Sequence, residues 1–179
     1  MHDSLAIQAR ILSIDPTPKG LGFTILEGRD GLMDWGVKTV RQDKNAGALA
    51  QVEKLINRFH PTTIVVEDTG HWSSRRRGRI RALLEEVRLL AAAYGIRFKR
   101  IPRALVHASF ASLGRTTKYQ IAVALTDKFP ELSPRLPKPR KPWQSEDDRM
   151  AIFDAAALAV THVEATRGSV QMNGARYEA

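Results

Sequence analysis

Three carboxylates stand in apolar surroundings. Asp15 closes the run Arg10-Ile-Leu-Ser-Ile-Asp15, Glu67 closes Thr62-Thr-Ile-Val-Val-Glu67, and Asp154 lies inside Met150-Ala-Ile-Phe-Asp154-Ala-Ala-Ala-Leu-Ala-Val160. An unpaired ionised carboxylate is costly to bury, so each of these acids needs a partner, a cation or an opening to water. Each also has a plainer reading. Asp15 precedes Pro16 and fits turn chemistry. Glu67 fits a solvated strand end, and Asp154 fits the polar stripe of an amphipathic helix. The combination offers more than the parts. Three clustered carboxylates repel one another unless a hard cation sits among them, and oxygen-only ligands favour Mg²⁺, with Mn²⁺ as a substitute.

The elements that must position these acids are readable from pattern. Arg10–Asp15, Leu21–Leu26 and Leu32–Val40 are apolar runs separated by short turns, Pro/Lys/Gly and then Gly28-Arg-Asp-Gly31, which predicts antiparallel hairpins. Ala46, Leu49, Val52, Leu55, Ile56 and Phe59 recur at helical spacing over Asn45–Phe59, and His60-Pro61 ends that helix. Thr62–Glu67 and Arg97–Ile101 read as short strands, with a helix of about fifteen residues between them that ends near Gly95. Pro102 can open a helical turn. Thr116–Phe129 reads as a helix, a proline-punctuated basic stretch follows, and a last helix runs from near Ser145 toward Arg167. Three hairpin strands followed by alternating helices and strands predict a mixed sheet covered by helices on both faces, an α/β domain. If the first and fourth strands are neighbours, their carboxyl ends place Asp15 beside Glu67, and the last helix can lay Asp154 across them. Residues 1–167 form one domain in this reading, and 168–179, with Gly168, Asn173 and Gly174, form a flexible tail.

Composition narrows the function classes. Of 179 residues, 43% are hydrophobic and 26% charged, as in an ordinary globular domain. Twenty-eight Lys and Arg against nineteen Asp and Glu leave +9, which favours a polyanionic partner. The absence of cysteine removes disulfides, thiolate zinc sites and cysteine nucleophiles, and suits a reducing cytoplasm. No apolar run reaches a membrane span, and Met1-His-Asp-Ser4 shows no signal-peptide pattern. The expectation is a cytoplasmic protein with no membrane partner. His107 and His162 lack metal-ligand spacing, and Gly20-Leu-Gly22 alone makes no nucleotide loop.

Ile14-Asp15-Pro16 before a glycine-bearing strand, Ile64-Val-Val-Glu67, and Asp154-Ala-Ala-Ala-Leu-Ala-Val-Thr-His162 resemble the three signature stretches of RuvC-type Holliday-junction resolvases of the RNase H-like superfamily. Gly114-Arg-Thr-Thr-Lys118-Tyr-Gln-Ile-Ala resembles that family's segment before the final helix pair. The likeness runs from about Ile11 to His162. It implies a five-stranded RNase H-like fold, a homodimer, and Mg²⁺-dependent paired nicking of four-way DNA junctions. Asp15, Glu67 and Asp154 would be the metal ligands. Lys118 would steady the charge developing on the phosphate, although it also reads as an exposed lysine at a helix start. Two departures stand out. Thr17 follows Asp-Pro where the family has glycine, and Ala151 occupies the place of a fourth ligand. Asp147, seven residues before Asp154, returns to within about 20° of its helix face, roughly 10 Å along the axis, and is a candidate replacement. Ser145-Glu-Asp-Asp148 reads equally as a capping box.

Between His71 and Arg103 stand ten Arg or Lys and two acids. Such a run is commonly a solvated face. Placed next to Glu67, it also fits phosphate contacts from Arg75, Arg76, Arg77 and Arg79, with Trp72 stacking on an unpaired base. Lys138, Arg140 and Lys141 form a second basic stretch before the last helix. These contacts would supply affinity and salt dependence rather than sequence choice. Leu83, Leu84, Val87, Leu90 and Ala91 offer a dimer face, or else simple packing on the sheet. Two other functions remain open at this point. One is a nuclease of the same fold acting on structured RNA or RNA–DNA hybrid. The other is a catalytically weak branched-DNA-binding protein, to which Ala151 lends support. Nothing in the sequence identifies a branch-migration helicase as a partner.

Overall fold

The computed structural model of the chain describes residues 9–70 and 78–174, with side chains to 167. Five strands, β1 (Arg10–Thr17), β2 (Gly20–Glu27), β3 (Gly31–Thr39), β4 (Thr63–Glu67) and β5 (Arg97–Ile101), form one sheet in the order β3-β2-β1-β4-β5. β1 pairs antiparallel with β2 and parallel with β4, β2 pairs antiparallel with β3, and β4 pairs parallel with β5. The mixed sheet expected from the hairpin spacing is the one observed, and β1 and β4 are neighbours.

α1 (Lys44–Phe59) and α2 (Gly78–Ala93) cover one face. Asp43 caps α1 by accepting from the Ala46 N–H, and His60 ends it in the left-handed region (φ 49°), where the following Pro61 forbids continuation. Leu83, Leu84, Val87 and Ala91 are buried here with Leu12, Ile14, Ile64 and Val66, and Leu90 packs at the edge. The apolar stripe of α2 is therefore committed to the sheet, not to a dimer face. Truncating it by Leu84→Ala should cost about 2–5 kcal/mol in urea denaturation, while sedimentation should show the oligomeric state unchanged.

α4 (Lys118–Lys128) and α5 (Met150–Gly174) cover the other face, with α3 (Arg103–Ala111) and a 3-10 turn (Pro130–Arg135) beside them. Two boundaries differ from expectation. α5 begins at Met150 rather than near Ser145, because the Asp147 carboxylate accepts from the Arg149 N–H and the Asp147 carbonyl from the Met150 N–H. It also continues through Gly174, seven residues past the point where the sequence places a tail. Among the described residues no helix is long and apolar enough to cross a membrane.

The first two turns of α5 lie tight against the sheet. A Cβ placed on Gly22 would stand 2.4 Å from the Ala151 carbonyl carbon and oxygen and 2.6 Å from the Ala151 Cβ. Only glycine on the strand, facing alanine on the helix, permits this approach. Gly22 is the β2 partner of Asp15, so the close crossing brings α5 down beside that acid.

Candidate active site

The β1–β4 register pairs Ile14 with Val66, and the next residue on each strand is an acid, Asp15 and Glu67. Strand alternation places both on the face that carries Ile11 and Val65, the face beneath α5. Asp154 reaches the same place from α5, about one turn beyond Ala151. All three acids line one cleft, together with Arg103, Lys118 and Glu146. The adjacency of Asp15 and Glu67 expected from sequence is thus present.

The cleft holds its own cations. Lys118 Nζ lies 2.6 Å from Asp154 Oδ2 and 2.7 Å from Glu146 Oε1. Arg103 Nη2 donates to Glu67 Oε2 at 3.3 Å. Lys118 is the first residue of α4. Its backbone is fixed there by a capping box in which Thr117 accepts from the Gln120 N–H and the Gln120 side chain accepts from the Thr117 N–H. A cation at a helix N-terminus opposes the helix dipole, and here the two carboxylates offset that opposition. Burial acts to lower the Lys118 ammonium, but Asp154 and Glu146 outweigh it and hold it raised.

Asp15 is 5% exposed and the Asp154 side chain 20%. Burial and then the charge of Asp15 push the Asp154 carboxyl up to about 7, against the pull of Lys118. Two close acids competing in a shielded cleft are the arrangement that a bound cation relieves. Among the described residues, no three acid or imidazole groups converge as a ready-made metal-ligand set. The clustering expected from sequence is looser than a ligand set, and Lys118 and Arg103 each sit on one of the acids. The donor chemistry still suits a hard divalent cation, because the acids offer only oxygen, come from three separate elements and face one cleft.

Two positions bear on a fourth ligand, and both line the cleft: Ala151, which has no donor, and Asp147, whose carboxylate is engaged by Arg149. Ala151 lines the cleft but is 4% exposed, with its backbone against Gly22. Asp147 lies before α5 rather than on it, so the helix-face argument for it does not apply. Its carboxylate takes two hydrogen bonds from the Arg149 guanidinium, at 3.0 and 2.6 Å, which with the Arg149 N–H holds its pKa down at about 2. Nor does Ser145 cap α5, since Asp147 makes the contact to the Arg149 N–H.

From the sequence, Arg103 and Glu146 had no site role and His107 read as a surface-turn histidine, whereas the structure places His107 on α3. α3 supplies Arg103 and His107, one turn apart, and His107 lines a small cavity behind Lys118 and Asp154. The signal for α3 was Pro102 alone. Of the basic candidates, Arg79 is occupied within the fold. Its guanidinium donates to the Thr17 carbonyl and to Asn45 Oδ1, both at 3.0 Å, and so ties the start of α2 to the end of β1. Lys138, Arg140 and Lys141 are exposed. Trp72, Arg75, Arg76 and Arg77 lie outside the described residues. His162 is away from the cleft, and burial, with Lys99 and Arg97, holds its imidazole below the usual value.

Compared with known proteins, the chain matches no family model and no curated sequence. Among solved structures it is similar to RuvC of Thermus thermophilus, with a TM-score of 0.67 at 20% identity over 89% of this chain and 96% of that one. It is also similar to T. thermophilus RuvC in complex with a Holliday junction substrate, with a TM-score of 0.65 at 18% identity over 89% and 95%. The chain has the fold of RuvC-type resolvases.

Proposed function

We propose that this chain is a metal-dependent, structure-selective endodeoxyribonuclease that resolves four-way DNA junctions by paired symmetric nicks. The observation that carries the reading is the convergence of Asp15, Glu67 and Asp154, from β1, β4 and α5, in the cleft of a RuvC-type fold, with Lys118 among them. The three acids would hold Mg²⁺, or Mn²⁺ in its place. When bound, the metal supplies Lewis-acid activation of water and stabilisation of the leaving oxygen. The chain's own cations do the rest. Lys118, its backbone fixed by the cap and its ammonium held between Asp154 and Glu146, would steady the charge developing on a scissile phosphate, and its positive charge is worth most where water is excluded. Arg103, half out in solvent, can exchange Glu67 for a phosphate oxygen, for which its planar fork is suited. Lys138, Arg140 and Lys141 would hold backbone phosphates beside the cleft. A homodimer would set two clefts on opposing strands and so match the two-fold symmetry of the junction.

One observation favours a second reading, a branched-DNA-binding protein with weak catalysis. At position 151 the chain offers a buried alanine rather than a ligand. A cleavage assay separates the two. Labelled four-way junction, linear duplex, RNA hairpin and RNA–DNA hybrid are incubated with Mg²⁺, with Mn²⁺ and with EDTA, using wild type, Asp15→Asn and Glu67→Gln. Paired nicks confined to the junction, abolished by EDTA and reduced at least about 100-fold in both variants, are expected. Salt-sensitive junction binding without nicking in either metal would support the second reading. Cleavage of the RNA substrates alone would move the substrate to RNA.

A further inference from the structure

The segment from Lys138 to Asp148 is exposed along its length. It is anchored by Leu136 and Pro137 at one end and by buried Met150 at the other. At its centre stands Trp143, 78% exposed, the most exposed large hydrophobic side chain among the described residues. An indole so placed keeps a large apolar surface in water, and here the local chain is built to hold it there. Lys141-Pro142-Trp143-Gln144 is a β-turn closed by the Gln144 N–H on the Lys141 carbonyl at 3.0 Å, with Pro142 at the position where its fixed φ favours the turn. The turn is closed a second time by the Lys141 N–H on Gln144 Oε1 at 3.0 Å, and Arg140 Nη1 donates to the Gln144 carbonyl at 2.9 Å. Lys141 Nζ lies 5.4 Å from the centre of the indole ring.

We infer that Trp143 is a stacking platform for an unpaired DNA base at the branch point. This rests on the junction-resolving reading above. The chemistry on the page points to a nucleobase in particular. Lys141 lies over one face of the ring, and Lys138 and Arg140 precede it in the same exposed segment, so cations suited to the phosphates on either side of a base share the segment with the indole. The acids that follow do not oppose such a ligand, because each already has a cation of its own: Glu146 has Lys118, Asp147 has Arg149, and Asp148 has Lys19. Trp143 precedes by two residues the stretch Ser145–Asp148 that lines the cleft, so a base held on the indole is continuous with a strand entering the candidate active site. In linear duplex both faces of every base are covered by its neighbours. At a crossover a base can offer a free face. Stacking at Trp143 would therefore add affinity for branched DNA over linear DNA.

The test uses 2-aminopurine as the base, placed at the branch point of a four-way junction and, separately, within a single-stranded oligonucleotide. Wild-type protein is expected to change its fluorescence on binding, and Trp143→Ala to remove that change. Trp143→Ala should also weaken junction binding about 5- to 100-fold with linear-duplex binding unaltered, and Trp143→Phe should restore most of the loss. Unaltered circular dichroism of the variants would show that folding is not the cause. The inference is overturned if the fluorescence change survives in Trp143→Ala, if wild type changes neither probe, or if Trp143→Ala weakens duplex and junction equally. The functional reading fails separately, when wild type shows no preference for the junction over duplex. In that case the single-stranded probe still decides the role of Trp143.

Discussion

Asp154→Asn is expected to lower junction nicking by about 10²–10³-fold or more while leaving junction affinity within a few-fold of wild type. The substitution keeps the shape of the side chain and removes its charge, so α5 stays seated on β1 and β2. What is lost is one of the three carboxylates in the cleft and the ion pair that holds Lys118 against it. Lys118 retains Glu146 at 2.7 Å, and the exposed basic segment is untouched, which is why binding should survive. The stability of the variant should move the opposite way from its activity. The Asp154 carboxyl is raised in the folded protein from its ordinary value near 3.8 to about 7 by burial and by Asp15. A group raised on folding favours the folded state below its unfolded pKa, and that contribution is lost as pH rises through the folded pKa. Without divalent cations, the contribution of Asp154 to wild-type stability should therefore fall between about pH 4 and pH 7. Asp154→Asn should lose less stability over that range, and above it should melt no lower than wild type. Single-turnover nicking, a gel-shift titration and melting curves in EDTA give the three readouts. Retained nicking in Asp154→Asn would remove this residue from the chemistry.

Gly22→Ala is expected to be damaging out of proportion to the single methyl it adds. Its Cβ would stand 2.4 Å from the main chain of Ala151, where there is no flexible side-chain end to give way. Either α5 lifts from the sheet or β2 bows away from it. Overpacking of this kind costs about 1–3 kcal/mol and at times more. For a domain of this size that corresponds to a fall of roughly 2–12 °C in Tm. Nicking should fall further than the lost stability accounts for. Asp154 is carried on the same stretch of α5, and a displacement of about 1 Å at a reacting group can cost about 100-fold. Gly78→Ala is the matched control. No atom lies within 4 Å of its added Cβ, and it stands in α2, where alanine is the better helix former. That variant should melt no lower than wild type. Equal behaviour of the two variants would show that the Gly22–Ala151 approach does not hold the site.

What the sequence disclosed, and what it did not, follows from the range over which each signal acts. All five strands lie within two residues of the expected positions, because alternation and turn residues are local. The meeting of Asp15 and Glu67 followed from strand order and parity alone. α3 was barely visible because Arg103–Ala111 carries no side-chain cap and buries only Phe110 fully, so Arg103 received no role and His107 was read as a turn residue rather than one beside the cleft. Glu146 reaches Lys118 from an irregular segment, where no periodicity predicts direction. The expected start of α5 fell too early because Ser145 and Asp148 have capping-box spacing, while Asp147 and Arg149 form a local turn that holds the chain out of the helix until Met150. Gly168 and Asn173 read as breakers, yet α5 passes through both.

β1 is paired on both sides, to β2 along its whole length and to β4 along its centre. Ile11–Ile14, the stretch that leads into Asp15, can lose its hydrogen bonds only when the sheet itself comes apart, so its local opening free energy approaches that of global unfolding, and Asp15 continues from it paired to Gly22. The segment 138–148 is the reverse case, held by one turn and its two anchored ends and open to solvent between them. The cleft thus joins a strand held within the sheet to a segment held by a single turn. Its soft wall can yield to a bulky branched ligand on a short timescale, while the acid at its floor keeps its position for as long as the protein is folded.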